Sequence, residues 1–236
     1  MRLTTVEIKG LIEASLLDWP GKLATVIFLP GCNLRCRYCH ARDIVLGAAS
    51  LESIPVDATL TFIREMREWV DGVVISGGEP TLHAELPSLA AEIKALGLGV
   101  KLDTNGTRPG VLQRLIDDEL VDAVSMDLKA PLDYRYFELA QTAFDLEDLR
   151  RSIRVLMRSK LEYEFRTTVS PSFLSPSEVA DIARTIEGAA RYALQAFNPH
   201  VCIDKSLESL PPCPPAYLED AARLARGFVA QVVVRT

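Results

Sequence analysis

The sequence has no apolar run approaching the roughly 20 residues that cross a bilayer, so no membrane span is expected. Its opening residues, Met1-Arg2-Leu3-Thr4-Thr5, lack the basic segment and apolar core of a secretory signal, which points to a cytoplasmic chain. Basic charge is also short. The 26 Lys and Arg against 32 Asp and Glu leave a net charge of −6. Phosphate neutralisation needs a basic surface, so nucleic acid is not expected as a partner. No low-complexity tract, short-period repeat or linker divides the 236 residues. They read as one domain: an N-terminal extension over 1–22, a core over 23–200 and a C-terminal extension over 201–236. Cysteine is scarce, with five in all and none between positions 41 and 201. An odd count argues for a reducing compartment rather than a disulfide framework.

Three of those five cysteines stand together in Gly31-Cys32-Asn33-Leu34-Arg35-Cys36-Arg37-Tyr38-Cys39-His40, spaced C-x₃-C-x₂-C. Thiolates are soft ligands, and three on one short loop imply a metal or cluster site. Such a loop can hold three irons of a [4Fe–4S] cube and leave the fourth open to a small molecule. Two plainer readings stay open. Cys32, Cys36, Cys39 and His40 could hold zinc, although adjacent Cys39 and His40 would chelate one ion awkwardly. The cysteines could also be ordinary buried thiols.

The hydrophobic pattern around this loop alternates strand with helix. Leu23–Leu29 reads as the first buried strand, after a turn at Pro20-Gly21 and a short alternation of Val6, Ile8 and Leu11. Val73–Ile75, Leu98–Leu102, Asp122–Lys129, Tyr163–Val169 and Tyr192–Phe197 follow as strands, with Val232–Val234 as an edge. Between them lie amphipathic helices, one opened by the capping box Ser175-Pro176-Ser177-Glu178 and one capped by Asp145. This order predicts an α/β fold with a parallel sheet, in the form of a partial, open (β/α)6 TIM-like barrel. Sites in such folds lie at the carboxyl ends of the strands. The cysteine loop, Gly77-Gly78-Glu79, Asp103-Thr104-Asn105-Gly106 and Met126-Asp127-Leu128-Lys129 all fall there.

The cysteine spacing, with Tyr38 just before the last cysteine, resembles the radical S-adenosylmethionine (radical SAM) superfamily. Gly77-Gly78-Glu79, following a strand, resembles the segment of that superfamily that binds the amino group of SAM. Ser15–Lys22, Leu102–Gly106, Met126–Lys129 and Phe165–Val169 are similar to the activating proteins of glycyl-radical enzymes. Among these the match is to the family that activates anaerobic ribonucleoside-triphosphate reductase, with the pyruvate formate-lyase type close behind.

The resemblance implies a [4Fe–4S] cluster on Cys32, Cys36 and Cys39, and SAM bound beside it. It implies that Tyr38 packs near adenine, and that Gly77, Gly78 and Glu79 orient the methionine amine. It implies a monovalent-cation site at Asp103, Thr104, Met126 and Asp127, with Lys129 and Arg166 balancing the SAM carboxylate. Two converging carboxylates without a cation would repel. The implied partners are a glycyl-radical enzyme and a flavodoxin- or ferredoxin-like electron donor. Rival readings are a radical SAM enzyme acting on a small molecule or peptide, and a zinc-stabilised binding module. His83 and His200 read as surface groups, and Cys202 and Cys213 as ordinary thiols.

Overall fold

The protein is described here by a computed structural model covering residues 6–236; Met1–Thr5, read above for a leader signal, lie outside the described residues. Eight strands form one sheet in chain order: β1 (Gly10–Ser15), β2 (Ala24–Leu29), β3 (Gly72–Gly77), β4 (Gly99–Thr104), β5 (Ala123–Asp127), β6 (Glu162–Val169), β7 (Arg191–Ala196) and β8 (Gln231–Arg235). β1 runs antiparallel to β2, and every later neighbour is parallel. Eight helices connect or cover the strands: α1 (Arg42–Leu46), α2 (Val56–Met66), α3 (Leu86–Ala95), α4 (Pro109–Asp117), α5 (Tyr134–Ala140), α6 (Leu146–Arg158), α7 (Pro176–Thr185) and α8 (Pro215–Ala225). Parallel strands require such crossovers, and the result is the open, partial barrel that the alternation predicts.

The six predicted units are β2 to β7, and β1 and β8 flank them in the same sheet. Val232–Val234 is a full parallel partner of β7, with Leu194 opposite Val234. At the other edge, Val6 and Ile8 do not begin the first strand. Ile8 bridges Ile54, and both Val6 and Ile8 are buried in the main core. The first strand starts instead at Gly10, paired with Phe28.

The capping signals act as read. The Ser175 hydroxyl accepts from the Glu178 backbone N–H at 3.3 Å, and the Glu178 carboxylate accepts from the Ser175 N–H at 2.8 Å. Asp145 accepts from the Glu147 N–H at 2.8 Å and opens α6, whose Leu149, Ile153 and Leu156 are buried. Two short helices, α1 and α5, are absent from the sequence reading, because five and seven residues carry too little periodicity to register.

Trp19, expected only as part of a turn, is wholly buried at the amino end of the barrel. It packs with Ala24, Val26, Val74 and Ala123 in a small apolar cluster separate from the main core. Gly72 and Gly99 make room for it. A Cβ at Gly72 would lie 2.7 Å from the indole and 2.6 Å from the Gly99 carbonyl oxygen. Above this apolar floor the barrel lining turns polar, with Lys101, Asp103, Ser125 and Glu164 all buried. Among the described residues no helix is long and apolar enough to cross a membrane.

Candidate active site

A pocket of about 210 Å³ opens at the carboxyl ends of the strands. Its walls include Cys32, Cys36, Cys39, Tyr38, Gly77, Gly78, Asp103, Thr104, Asp127, Lys129 and Arg166. Residues from five separate stretches of sequence thus face one cavity. Glu79 and Met126 do not line it.

The cysteine loop is held by backbone contacts on both flanks. Gly31 follows β2 with φ +75°, a conformation open to glycine. The Glu79 N–H donates to the Gly31 carbonyl at 2.8 Å, and the Gly78 N–H to the Leu29 carbonyl at 2.9 Å. A Cβ at Gly78 would lie 1.8 Å from the Gly31 oxygen, and one at Gly77 2.3 Å from the Leu29 oxygen. The paired glycines therefore admit the cysteine loop's own backbone, while also forming the pocket wall. On the other flank, the Arg35 and Arg37 N–H groups donate to carbonyls of α5, Ala140 at 2.9 Å and Leu139 at 3.1 Å. The segment after β7 straps the loop. The Arg37 guanidinium pairs with Asp204 at 2.8 Å, and His40 Nδ1 meets the Val201 carbonyl at 2.7 Å.

Burial raises the pKa of all three thiols, and it pushes Cys36 up to about 12. Lys129 opposes this at each of them. Alone, these sulfurs favour the protonated form; a bound metal centre takes them as thiolates. Asn105 Nδ2 lies 3.7 Å from Cys32 Sγ and donates to Asn33 Oδ1 at 2.9 Å, and Asn33 Nδ2 donates to Thr107 at 2.8 Å. Among the described residues no three His, Cys, Asp or Glu side chains converge as ligands of one metal ion. Three thiols from one loop line the same cavity, the soft donor set that an iron–sulfur cluster takes. His40, the fourth group of the zinc reading, is exposed and stacks on Phe197 at 5.9 Å.

Glu79 was expected to meet an amine directly, but the structure puts it behind the wall. It is wholly buried, and both carboxylate oxygens accept protein donors: the Asn105 N–H at 2.6 Å, the Thr104 hydroxyl at 2.8 Å and the Thr81 N–H at 3.1 Å. Burial raises its pKa, and the Asn105, Thr81 and Thr104 donors oppose that rise. Its geometric effect is to tie the end of β3 to the end of β4. The Thr104 hydroxyl is engaged by Glu79 and by the Gly106 N–H at 3.1 Å. Met126 is buried, with its side chain packed against Gly106. Tyr38 is buried at the pocket edge and stacks on Phe173, centroids 5.2 Å apart and planes within 10°.

The pocket floor is a chain of charges. Arg166 donates from Nη1 to Asp103 at 3.1 Å and from Nε to Asp127 at 2.8 Å. Lys129 donates to the other Asp127 oxygen at 2.8 Å, and Lys101 pairs with the other Asp103 oxygen. Burial would raise both carboxyls, but Arg166, with Lys101 at Asp103 and Lys129 at Asp127, outweighs it and holds both below the usual range. The sequence reading missed Lys101, Ser76 and Asn105. The signal for Lys101 was present, because in Val100-Lys101-Leu102-Asp103 the two charges alternate with apolar residues and share one face of the strand.

His83 Nε2 donates to the Pro30 carbonyl, 2.8 Å away, and His200 is exposed. Cys202 and Cys213 are buried free thiols.

The radical SAM superfamily pattern matches residues 26–187 of the chain. A Methanocaldococcus jannaschii protein whose name attaches it to glycyl-radical enzyme activation is 33% identical over 97% of this chain and 95% of its own. Pyruvate formate-lyase-activating enzyme of Staphylococcus aureus is 37% identical over 38% of this chain and 37% of its own. In structure, SuiB of Streptococcus suis bound to its precursor peptide SuiA superposes with a TM-score of 0.69 at 14% identity, over 89% of this chain and 48% of its own. QueE of Escherichia coli superposes with a TM-score of 0.54 at 17% identity, over 98% and 94%. The cysteine spacing, the pocket that gathers it and these likenesses agree: the chain belongs to the radical SAM superfamily, within its glycyl-radical enzyme activating family, and its cofactors are a [4Fe–4S] cluster and SAM.

Proposed function

We propose that the protein activates an anaerobic ribonucleoside-triphosphate reductase, as an oxidoreductase that removes one hydrogen atom from the Cα of a glycine in that partner. The observation that carries this reading is the single pocket at the strand ends, in which three thiols, the Gly77-Gly78 wall and the Asp103–Arg166–Asp127–Lys129 charges share one cavity. The end-to-end likeness to a chain named for glycyl-radical activation supports the class of partner. The motifs at 15–22, 102–106, 126–129 and 165–169 resemble glycyl-radical enzyme activating proteins, with the reductase-activating type as the nearest resemblance and the lyase type sharing several of them.

Cys32, Cys36 and Cys39 would hold the cluster, and the face of the pocket toward Lys129 and Arg166 would take the SAM carboxylate. Together the reduced cluster and SAM supply a 5′-deoxyadenosyl radical. The chain's own residues orient and enclose. Arg166 presents a fixed guanidinium because both Asp103 and Asp127 hold it. Lys129, half-buried, keeps positive charge beside the thiols. The strap at 201–209 holds the cysteine loop through the Arg37–Asp204 and His40–Val201 contacts, and Tyr38, stacked on Phe173, forms part of the pocket wall. The reductant is a flavodoxin- or ferredoxin-like protein, and the compartment is the cytoplasm, where free thiols persist.

Pyruvate formate-lyase is the second candidate partner, favoured by the 37% identity over 94 residues to its activating enzyme. The test is electron paramagnetic resonance of each candidate after anaerobic incubation with reconstituted protein, reductant and SAM. A glycyl-radical doublet on the reductase alone supports the proposal. A doublet on the lyase alone transfers the assignment, and SAM cleavage with neither moves it to a small molecule or another peptide. A colourless zinc-holding protein would end the enzyme reading.

A further inference from the structure

We propose that Lys101 is a built-in counter-ion beneath the pocket floor, a positioning residue whose ammonium takes the place on Asp103 that a free monovalent cation would otherwise fill, beside the Arg166 bridge between Asp103 and Asp127. This rests on the reading of the pocket as a SAM site.

Two carboxylates converging in a buried region repel unless positive charge lies between them. Lys101 precedes Asp103 by two positions on β4, so both side chains point to the barrel interior. Lys101 is 2% exposed and Asp103 9%. The ammonium donates to one Asp103 oxygen. The other Asp103 oxygen receives Arg166 at 3.1 Å and the Ser76 hydroxyl at 3.4 Å. The two Asp127 oxygens receive Arg166 and Lys129, each at 2.8 Å. Every carboxylate oxygen of the pair therefore already holds a cationic donor.

Three cations against two carboxylates leave positive charge in excess. A free cation entering here would add to that excess and would have to displace a tethered ammonium. Lys101 has no competing claim on it. Glu164, the nearby buried carboxylate of the barrel lining, is taken by Arg235 at 2.8 and 3.1 Å, by Arg191 at 3.5 Å and by Ser125 at 3.1 Å. Asp103 is the one carboxylate partner of Lys101 among the described residues. A buried ammonium without a partner is costly, so the pair is held in place from both sides. Lys101 thus fixes Asp103, and Asp103 fixes the Arg166 guanidinium that faces the cavity.

The test measures SAM affinity by calorimetry on the anaerobically reconstituted enzyme, at one ionic strength, with potassium, sodium or tetramethylammonium as the cation. The wild type is expected to bind equally, within about twofold, in all three. Lys101→Met should lose roughly tenfold to a hundredfold in tetramethylammonium, the worth of a charge-assisted hydrogen bond, and recover in potassium. Lys101→Arg, which keeps the charge, should remain indifferent to the cation. A wild-type affinity that rises several-fold with potassium overturns the proposal, as does a Lys101→Met variant unchanged in every buffer. The wild-type series decides even if Lys101→Met fails to fold. Thermal midpoints of the ligand-free proteins in the same buffers give a second readout: only Lys101→Met should be raised by potassium, and a wild-type midpoint so raised counts against Lys101. If reconstituted wild type binds no SAM in any buffer, the SAM reading fails, and the midpoints still decide the role of Lys101.

Discussion

Arg166 joins Asp103 and Asp127 across three neighbouring strands, with Nη1 on one carboxylate at 3.1 Å and Nε on the other at 2.8 Å. The bridge depends on a planar fork, because a lysine ammonium is a point charge that cannot span both partners in the same geometry. Arg166→Lys should therefore keep the fold and the iron content but weaken SAM binding by roughly tenfold or more. Calorimetry beside an iron and sulfide assay checks this; unchanged affinity would remove Arg166 from the binding floor.

The same bridge sets an acid limit. Asp103 and Asp127 are held below their ordinary values in the folded chain. Their contribution to stability is complete above the unfolded carboxyl value of about 4, and it is lost as pH falls through the depressed folded values. Arg166→Met removes the main opposing charge, so its acid-unfolding midpoint should move to higher pH than that of the wild type. Circular dichroism during acid titration reads this directly; coincident midpoints would show that the pair contributes nothing.

Glu79 is raised by burial, which has the opposite sign: keeping it ionised costs stability as pH rises through its raised value. Its donors nonetheless require an acceptor on both oxygens. Glu79→Gln turns an amide N–H₂ toward one set of them and should destabilise the protein by about 1–3 kcal/mol. Denaturant unfolding at neutral pH measures it. A stabilised variant would mean that relief of the buried charge outweighs the lost acceptor.

Cys36→Ala should abolish SAM cleavage and the brown colour of the reconstituted protein while leaving the thermal midpoint near that of the metal-free wild type. Normal cleavage would remove Cys36 from the cluster.

Trp19→Ala empties the amino end of the barrel and should cost about 3–5 kcal/mol, the range for buried aromatic truncation. Gly72→Ala should also destabilise, since its Cβ would meet both the indole and the Gly99 carbonyl. Unfolding midpoints test both, and a Trp19→Ala loss under about 1 kcal/mol would show that the site collapses around the gap.

Repeating hydrophobic periods made the parallel core legible, because strands buried on both faces read as apolar runs bounded by glycine and proline. Val232–Val234 reads as an edge and is one, the last strand of the sheet, although three residues could not reveal that its neighbour is β7. Trp19 read as a turn residue because burial of the indole arises from Gly72 and Gly99, far along the chain. At the site, the cysteines could be named from spacing, and the glycine pair and the strand-end aspartates from their places after strands together with the family resemblance; one pocket contains them. The direction in which Glu79 points depends on three-dimensional register that no local pattern carries, whereas the shared strand face of Lys101 and Asp103 was there to be read in their two-residue spacing.

The cysteine loop is anchored at three points outside the thiols themselves: Glu79 and Gly78 hold its entrance, α5 its middle, and Asp204 its far side. The spacing of the three sulfurs is therefore set by distant parts of the chain, and a change at any of those anchors would reach the sulfurs through the backbone.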